Sequence, residues 1–198
     1  MALDVEWLGH ASFKISDGES TVYVDPYQVQ PGETADLVLI THQHHDHCSP
    51  EDVIMVAGPE TVIAAPADCR PQLEGIGASL LDVAPNQEYE AGLVKFRTTP
   101  AYNTNKEFHP KEKGWVGYII EMQGGSVYHS GDSDFIPEME GLNVDVALLP
   151  VGGKYTMTAD EAAEAAKAIG CKRAIPMHYG SIVGSEEDAE RFRALLRD

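Results

Sequence analysis

Apolar and polar positions alternate in short runs through the first quarter of the chain. "DVEWLG", "ASFKIS", "STVYVDP" and "ADLVLIT" have the period-two or brief continuous apolar pattern of strands. Gly9, Asp17-Gly18 and Pro31-Gly32 punctuate them as turns. The period then changes. "SPEDVIMVAG" predicts a helix with Ser49 as N-cap, Pro50 at the first helical position and Gly58 as terminator. "TVIAAP" and "ASLLDVAP" return to strand patterning. "EYEAGLVKFRTTPAY", "GWVGYIIEM" and "GSVYHSGD" form a second β-rich block, and "VDVALLPVGG" reads as a buried strand. In "TADEAAEAAKAIG", Thr158 and Glu161 make a capping box, an alanine-rich body follows, and Gly170 stops the helix. "RAIPMHYG" is a further strand, and "SEEDAERFRALLRD" an amphipathic helix capped by Ser185.

Two β-rich halves, each followed by helices, imply two packed sheets with helices outside. The expected class is α/β, a four-layer αβ/βα sandwich. No repeat, low-complexity tract or linker interrupts it, so residues 1–198 are expected to form one domain.

Charge narrows the partners. The chain carries 32 acidic residues against 14 basic ones, a formal net charge of -18. Such a surface repels nucleic-acid phosphates, so no nucleic-acid partner is expected. A small-molecule substrate is, and a bound cation would draw in an anionic one at short range. Cys48, Cys69 and Cys171 are odd in number and form no C-x-x-C pair, which suits a reducing cytoplasm better than a disulfide framework. "MALDVEWLGH" lacks a basic n-region and an apolar stretch of signal length, and no segment approaches the roughly 20 apolar residues of a membrane span. A homo-oligomer is left open.

The chemistry is concentrated in "THQHHDHCSP", residues 41 to 50. Four histidines and an aspartate fall within six positions directly after an apolar run. If the strand continues through His42 and His44, their i, i+2 spacing puts both imidazoles on one side, where a divalent metal can bridge them. His45 then points the other way. Asp46 and His47 follow where the chain turns toward the helix and can aim at a neighbouring position. Two distant segments end strands with further hard or borderline ligands: Asp132 in "VYHSGDSD" and His178 in "AIPMHYG".

The series H-x-H-x-D-H, then G-D after a strand, then a late strand-end histidine resembles the metallo-β-lactamase superfamily over essentially the whole chain. "WLGHASF" and "YVDP" narrow the resemblance to small metal-dependent hydrolases similar to ascorbate-6-phosphate lactonase and N-acyl-phosphatidylethanolamine phospholipase D. The resemblance implies two divalent metal ions, zinc foremost, with manganese, nickel or iron as alternatives. It implies His42 and His44 on the first ion, Asp46, His47 and His178 on the second, and Asp132 bridging them. It also places His10 and Asp25 near the site, behind the ligands or in the pocket wall; Asp25 suits the carboxylate that a ligating imidazole commonly meets through its other N–H.

The chain departs from that pattern in one place. A third histidine for the first metal is expected mid-chain, and "TTPAYNTNKEFHP" has Asn103 there. His109, six residues on, either substitutes for it or is an ordinary loop histidine. His129 alternates away from the site and reads as structural, and Cys48 is outcompeted by better ligands. Lys106, Lys111, Lys154 and Tyr155 lie in loops where they can meet a phosphate or carboxylate.

The expected function is hydrolysis by a metal-activated water, with Asp46 both binding metal and orienting the nucleophile. A small phosphodiester or a phosphorylated lactone is the expected substrate. His10 is a candidate acid for the leaving group. The alternative is a non-catalytic, single-metal regulatory or scaffold domain that lost its first site through Asn103.

Overall fold

Leu37, Val38 and Leu39 illustrate how the period-two pattern is used. In the computed structural model, which describes residues 3–197, Leu37 and Leu39 enter one apolar cluster and Val38 another on the opposite face of the strand. Both faces of this sheet are covered, so its parallel strands read as continuous apolar runs.

Strands β1 (Asp4–Gly9), β2 (Ser12–Ser16), β3 (Thr21–Val24), β4 (Leu37–Leu39), β5 (Val62–Pro66) and β6 (Ser79–Val83) form the first sheet in sequence order. Its first three strands are antiparallel; β3 through β6 pair in parallel. Strands β7 (Glu88–Ala91), β8 (Val94–Pro100), β9 (Val116–Met122), β10 (Gly125–His129), β11 (Val146–Pro150) and β12 (Arg173–Met177) form the second, also in sequence order. There β7 through β10 are antiparallel and β10 through β12 parallel. The halves thus repeat one plan: hairpins first, then crossovers that require helices.

Phe13, Ile15, Val22 and Val24 of the first sheet meet Phe96, Val116, Tyr118 and Ile120 of the second in the inter-sheet core. Outside the first sheet lie α1 (Pro50–Val56) and α2 (Arg70–Leu73), which bury Val53, Val56 and Leu73 against Val38 and Ile63. Outside the second lie α3 (Ala159–Ile169) and α4 (Glu186–Leu195). The small face Ala162, Ala163 and Ala166 of α3 packs with Leu149 and with Phe192 of α4. This is the αβ/βα sandwich, with its two sheets flanked by helices.

The caps follow the sequence in most respects. Thr158 Oγ1 accepts from Glu161 N while Glu161 Oε2 accepts from Thr158 N, and Gly170 ends α3 in the left-handed region at φ 74°. Ser49 caps α1 by accepting from Asp52 N, with Pro50 in the first turn. Gly58 is not its terminator. The helix ends one residue earlier, with Ala57 extended; a Cβ on Gly58 would stand 2.9 Å from Thr34 Cγ2, so its role is close packing. Helix α2 has no counterpart in the sequence expectations, because four residues with Pro71 in the first turn show no period.

Candidate metal centre

One end of the sandwich collects the loops that follow β1, β3, β4, β8, β10 and β12, and these loops carry every histidine and carboxylate expected at or near the metals. The cluster after β4 is not extended as expected. The strand stops at Leu39, and residues 45–47 form a turn in which His47 N and Cys48 N both donate to His44 O, at 3.0 and 2.8 Å. Bends at residues 43 and 44, rather than alternation along a strand, bring His42 and His44 together, and their Nε2 and Nδ1 stand 3.0 Å apart. His45 does face away, its side chain 80% exposed.

Asp132 is delivered past β10 by Gly131, whose φ of 58° and close neighbours (Val116 O at 3.1 Å, Thr41 Cβ at 3.2 Å from any added Cβ) exclude a side chain. His10, Asp25 and His178 all hold left-handed backbone, with φ of 50°, 45° and 59°. Such conformations cost of order 1–3 kcal/mol and persist where surrounding structure enforces them, commonly at functional sites.

Asp132 sits at the middle of the cluster. Its Oδ2 lies 3.1 Å from His178 Nε2, 3.3 Å from His109 Nε2 and 3.9 Å from His42 Nε2, and its Oδ1 lies 3.3 Å from His47 Nε2. Asp46 Oδ2 lies 2.9 Å from His10 Nε2, 3.6 Å from His47 Nε2 and 3.7 Å from His178 Nε2. Potential ligand atoms gather in three overlapping groups: His42, His44 and His109; His42, His47 and Asp132; His10, Asp46, His47 and His178. His47 Nε2, Asp132 Oδ1 and His178 Nε2 are buried without a hydrogen-bond partner. Buried polar atoms are seldom left unpaired, because the desolvation penalty is then uncompensated. Three such atoms aimed at one another fit divalent cations and fit little else.

Around this centre the other ring nitrogens are held. Asp25, fully buried, accepts from Thr41 N at 2.8 Å and Thr41 Oγ1 at 2.6 Å, and meets His47 Nδ1 at 2.7 Å. Thr41 Oγ1, having given its proton to Asp25, accepts from His42 Nδ1 at 2.9 Å. One carboxylate therefore sets the tautomers of His42 and His47 together, turning both Nε2 lone pairs inward. Asn103 does the same for His109: its Oδ1 accepts from His109 N at 3.0 Å and faces Nδ1 at 3.3 Å. Asn103 Nδ2 in turn donates to Asp134 Oδ1 at 3.2 Å and Tyr155 O at 3.1 Å. The residue standing where a histidine was expected thus orients the histidine six positions on.

The charges follow from this packing. Burial, with His47 nearby, keeps His42 well below the ordinary imidazole range, and burial also lowers His44. Burial opposes the charge of Asp46, but the hydrogen bond from His10 and the contacts of His178 and His47 outweigh it and hold the carboxylate well below the usual range. Asp132 is likewise lowered against burial, by His178 and His47. Burial would lower His47 and His178, yet Asp132 outweighs it and raises both, His178 to about 9.

A cavity of about 250 Å³ opens over the cluster, lined by His44, His45, Asp46, His109, Asp132 and His178 below and by Phe108, Tyr155 and Ile182. Lys106 and Lys111 do not line it. Lys106 is bound to Asp134 at 2.7 Å and Lys111 to Glu138 at 3.0 Å. His10 lies behind Asp46 and borders a different surface pocket with Trp7, Tyr27 and Tyr179, so it is not placed to meet a leaving group. His129 is structural: buried, it meets Ala11 O at 2.9 Å and accepts from Gly131 N. Sequence reasoning missed Thr41, Asp134 and Trp115, whose buried ring lies 4.9 Å from those of His42 and His44. Only the "SGDSD" repeat of aspartate signalled Asp134.

Known proteins resemble this chain along nearly its whole length. The family model of the β-lactamase superfamily domain matches residues 4–178. The UPF0173 metal-dependent hydrolase of Thermoplasma acidophilum is 36% identical, over 98% of this chain and 90% of its own length. A solved structure of a candidate metal-dependent hydrolase from Parabacteroides distasonis superposes with a TM-score of 0.87 at 30% identity, covering 99% of this chain and 89% of that one. The metallo hydrolase Igni18 of Ignicoccus hospitalis shares the fold, with a TM-score of 0.76 at 24% identity over 98% and 91% of the two chains.

Proposed function

This chain belongs to the metallo-β-lactamase superfamily, with metal-dependent hydrolases as its relatives, and on that premise we propose that it cleaves a small phosphodiester or a phosphorylated lactone at a centre of two divalent cations. Zinc is the first candidate for those cations. The observation that carries the reading is the convergence of His47 Nε2, Asp132 Oδ1 and His178 Nε2, buried and unpaired, beneath an open cavity.

In this reading His42, His44 and His109 hold one cation, Asp46, His47 and His178 the other, and Asp132 faces both. Cations held there would supply Lewis acidity, making a water nucleophilic near neutral pH and offsetting charge on the substrate oxygen. The remaining work belongs to the chain. Asp46, kept ionised by His10 and exposed to the cavity, accepts a hydrogen bond from the attacking water and aims its oxygen. Asp25 and Asn103 fix the imidazoles so that no rotation accompanies the reaction. Tyr155 and Phe108 line one wall of the cavity. The position of His109 favours this reading over a single-metal scaffold, because it restores a third imidazole beside His42 and His44.

The test is a panel of chromogenic phosphodiester, lactone and thioester substrates offered to the metal-reconstituted protein. Hydrolysis of a phosphodiester or lactone that chelation abolishes and added metal restores is expected. Turnover of none of them, by protein carrying its metal, would contradict the reading.

A further inference from the structure

The walls of the cavity differ in kind from its floor. The floor is imidazole and carboxylate. The upper wall is Phe108, Tyr155 and Ile182, with Phe108 and Ile182 left 47% and 43% exposed. Phe108 and Tyr155 meet edge to face, ring centroids 4.7 Å apart at 85°, which fixes two aromatic surfaces at the mouth. Large apolar side chains held open to solvent beside a polar site mark a surface meant to be covered.

Cations are the second observation. Among the described residues the cavity lining includes no lysine or arginine. Lys106 and Lys111 in the surrounding loops are engaged with Asp134 and Glu138, while the Lys154 ammonium lies over the Tyr155 ring at 4.9 Å. A substrate anion at the floor would face the cation centre. An anion at the collar would face aromatic rings and an acidic protein of net charge -18. Placing a phosphate there would desolvate charge against apolar side chains, with no lysine or arginine in the lining to offset it.

We propose that Phe108, Tyr155 and Ile182 form a binding collar for an uncharged apolar ester group, so that the substrate is a phosphodiester bearing one such group and not a phosphorylated lactone. This rests on the hydrolase reading above and narrows it. In the reaction one water is consumed and the P–O bond to the leaving alcohol breaks. The alcohol departs with one of the water's protons, and the phosphate monoester keeps the water's oxygen and the other proton. The group on the ester that stays intact occupies the collar. The cavity is smaller than the roughly 300–1,000 Å³ of sites for drug-sized ligands, which limits that group to about one ring.

Three phosphodiesters with the same p-nitrophenol leaving group test it on the zinc-reconstituted chain: methyl, benzyl and 3-phosphonopropyl p-nitrophenyl phosphate. Intrinsic reactivity is then shared, and kcat/KM reports the retained group. The benzyl ester is expected to exceed the methyl ester by about tenfold through ring burial, and the phosphonopropyl ester to fall below it. In F108A/I182A the benzyl-to-methyl ratio should drop toward one. Equal methyl and benzyl values in the wild type, or a faster phosphonopropyl ester, overturn the collar while leaving the hydrolase reading intact. If no ester is cleaved, the phosphodiester reading fails instead, and calorimetry decides the collar alone. Benzylphosphonate binding about tenfold tighter than methylphosphonate sustains it; equal affinities overturn it.

Discussion

Asp46 is the residue whose replacement separates binding from turnover. Its carboxylate touches His10, faces His47 and His178, and lines the cavity. Asp46→Asn should fold normally and lower turnover by roughly 10²–10⁴-fold, the usual range for a positioned proton acceptor; kcat near the wild-type value in metal-loaded mutant protein would remove it from the mechanism. Within the histidine run, His45→Ala should leave metal content unchanged because its ring is exposed, whereas His44→Ala should lose one equivalent. Elemental analysis of both proteins reads this directly. Spacing alone exposed most of this cluster, since H-x-H-x-D-H is rare without a metal. It could not decide between Asn103 and His109, because their pairing depends on how a loop closes. The structure makes them partners, Asn103 orienting and His109 reaching inward. His109→Ala should therefore abolish the equivalent shared with His42 and His44 in a chelator titration. Asn103→Ala should weaken that equivalent about 10–100-fold without abolishing it, as loss of an orienting partner does. If both variants keep two equivalents at wild-type affinity, the loop holds no ligand.

At the scale of elements, the strands were legible because both faces are buried or cleanly divided, as in β4, β9 and β11. Helix α3 was legible from its capping box and its alanine face. What escaped was structure without a period: the four-residue α2, and the end of β4 at Leu39, short of the His42 and His44 that the strand pattern suggested would be extended. The strand end matters more, since bends at residues 43 and 44 rather than alternation join His42 to His44. A contact between turns of different sheets escaped as well. Asp17, in the β2–β3 turn, accepts from Glu19 N and Ser20 N within that turn and from Gln123 N in the β9–β10 turn of the second sheet, at 2.9–3.0 Å. Burial pushes its carboxyl up, but the three backbone N–H groups outweigh this and hold it below its ordinary value. A carboxylate lowered on folding stabilises above its unfolded pKa, and the contribution disappears as pH falls through the folded value. Asp17→Ala should thus cost about 1–3 kcal/mol at pH 7. In urea unfolding, the gap from wild type should shrink as pH falls below the ordinary aspartate range near 4. A gap independent of pH would mean that the carboxylate charge contributes nothing.

Over the whole molecule, two sheets of matching plan meet face to face, and the loops at one end supply all the candidate ligands. The four layers could be read from the order of elements, because hairpins followed by crossovers leave few other packings. The apolar collar could not, since Phe108, Tyr155 and Ile182 come from separate loops and share no motif. No helix among the described residues is long and apolar enough to cross a membrane. The fold, the family and the unpaired buried nitrogens and oxygen support the proposed reading of a cluster that binds two divalent cations per chain. Elemental analysis of the apo-protein after reconstitution with zinc and removal of unbound metal measures this directly. Two equivalents per folded chain, lowered in Asp132→Ala, are expected. One equivalent that Asp132→Ala leaves in place, or none, would contradict the two-cation centre.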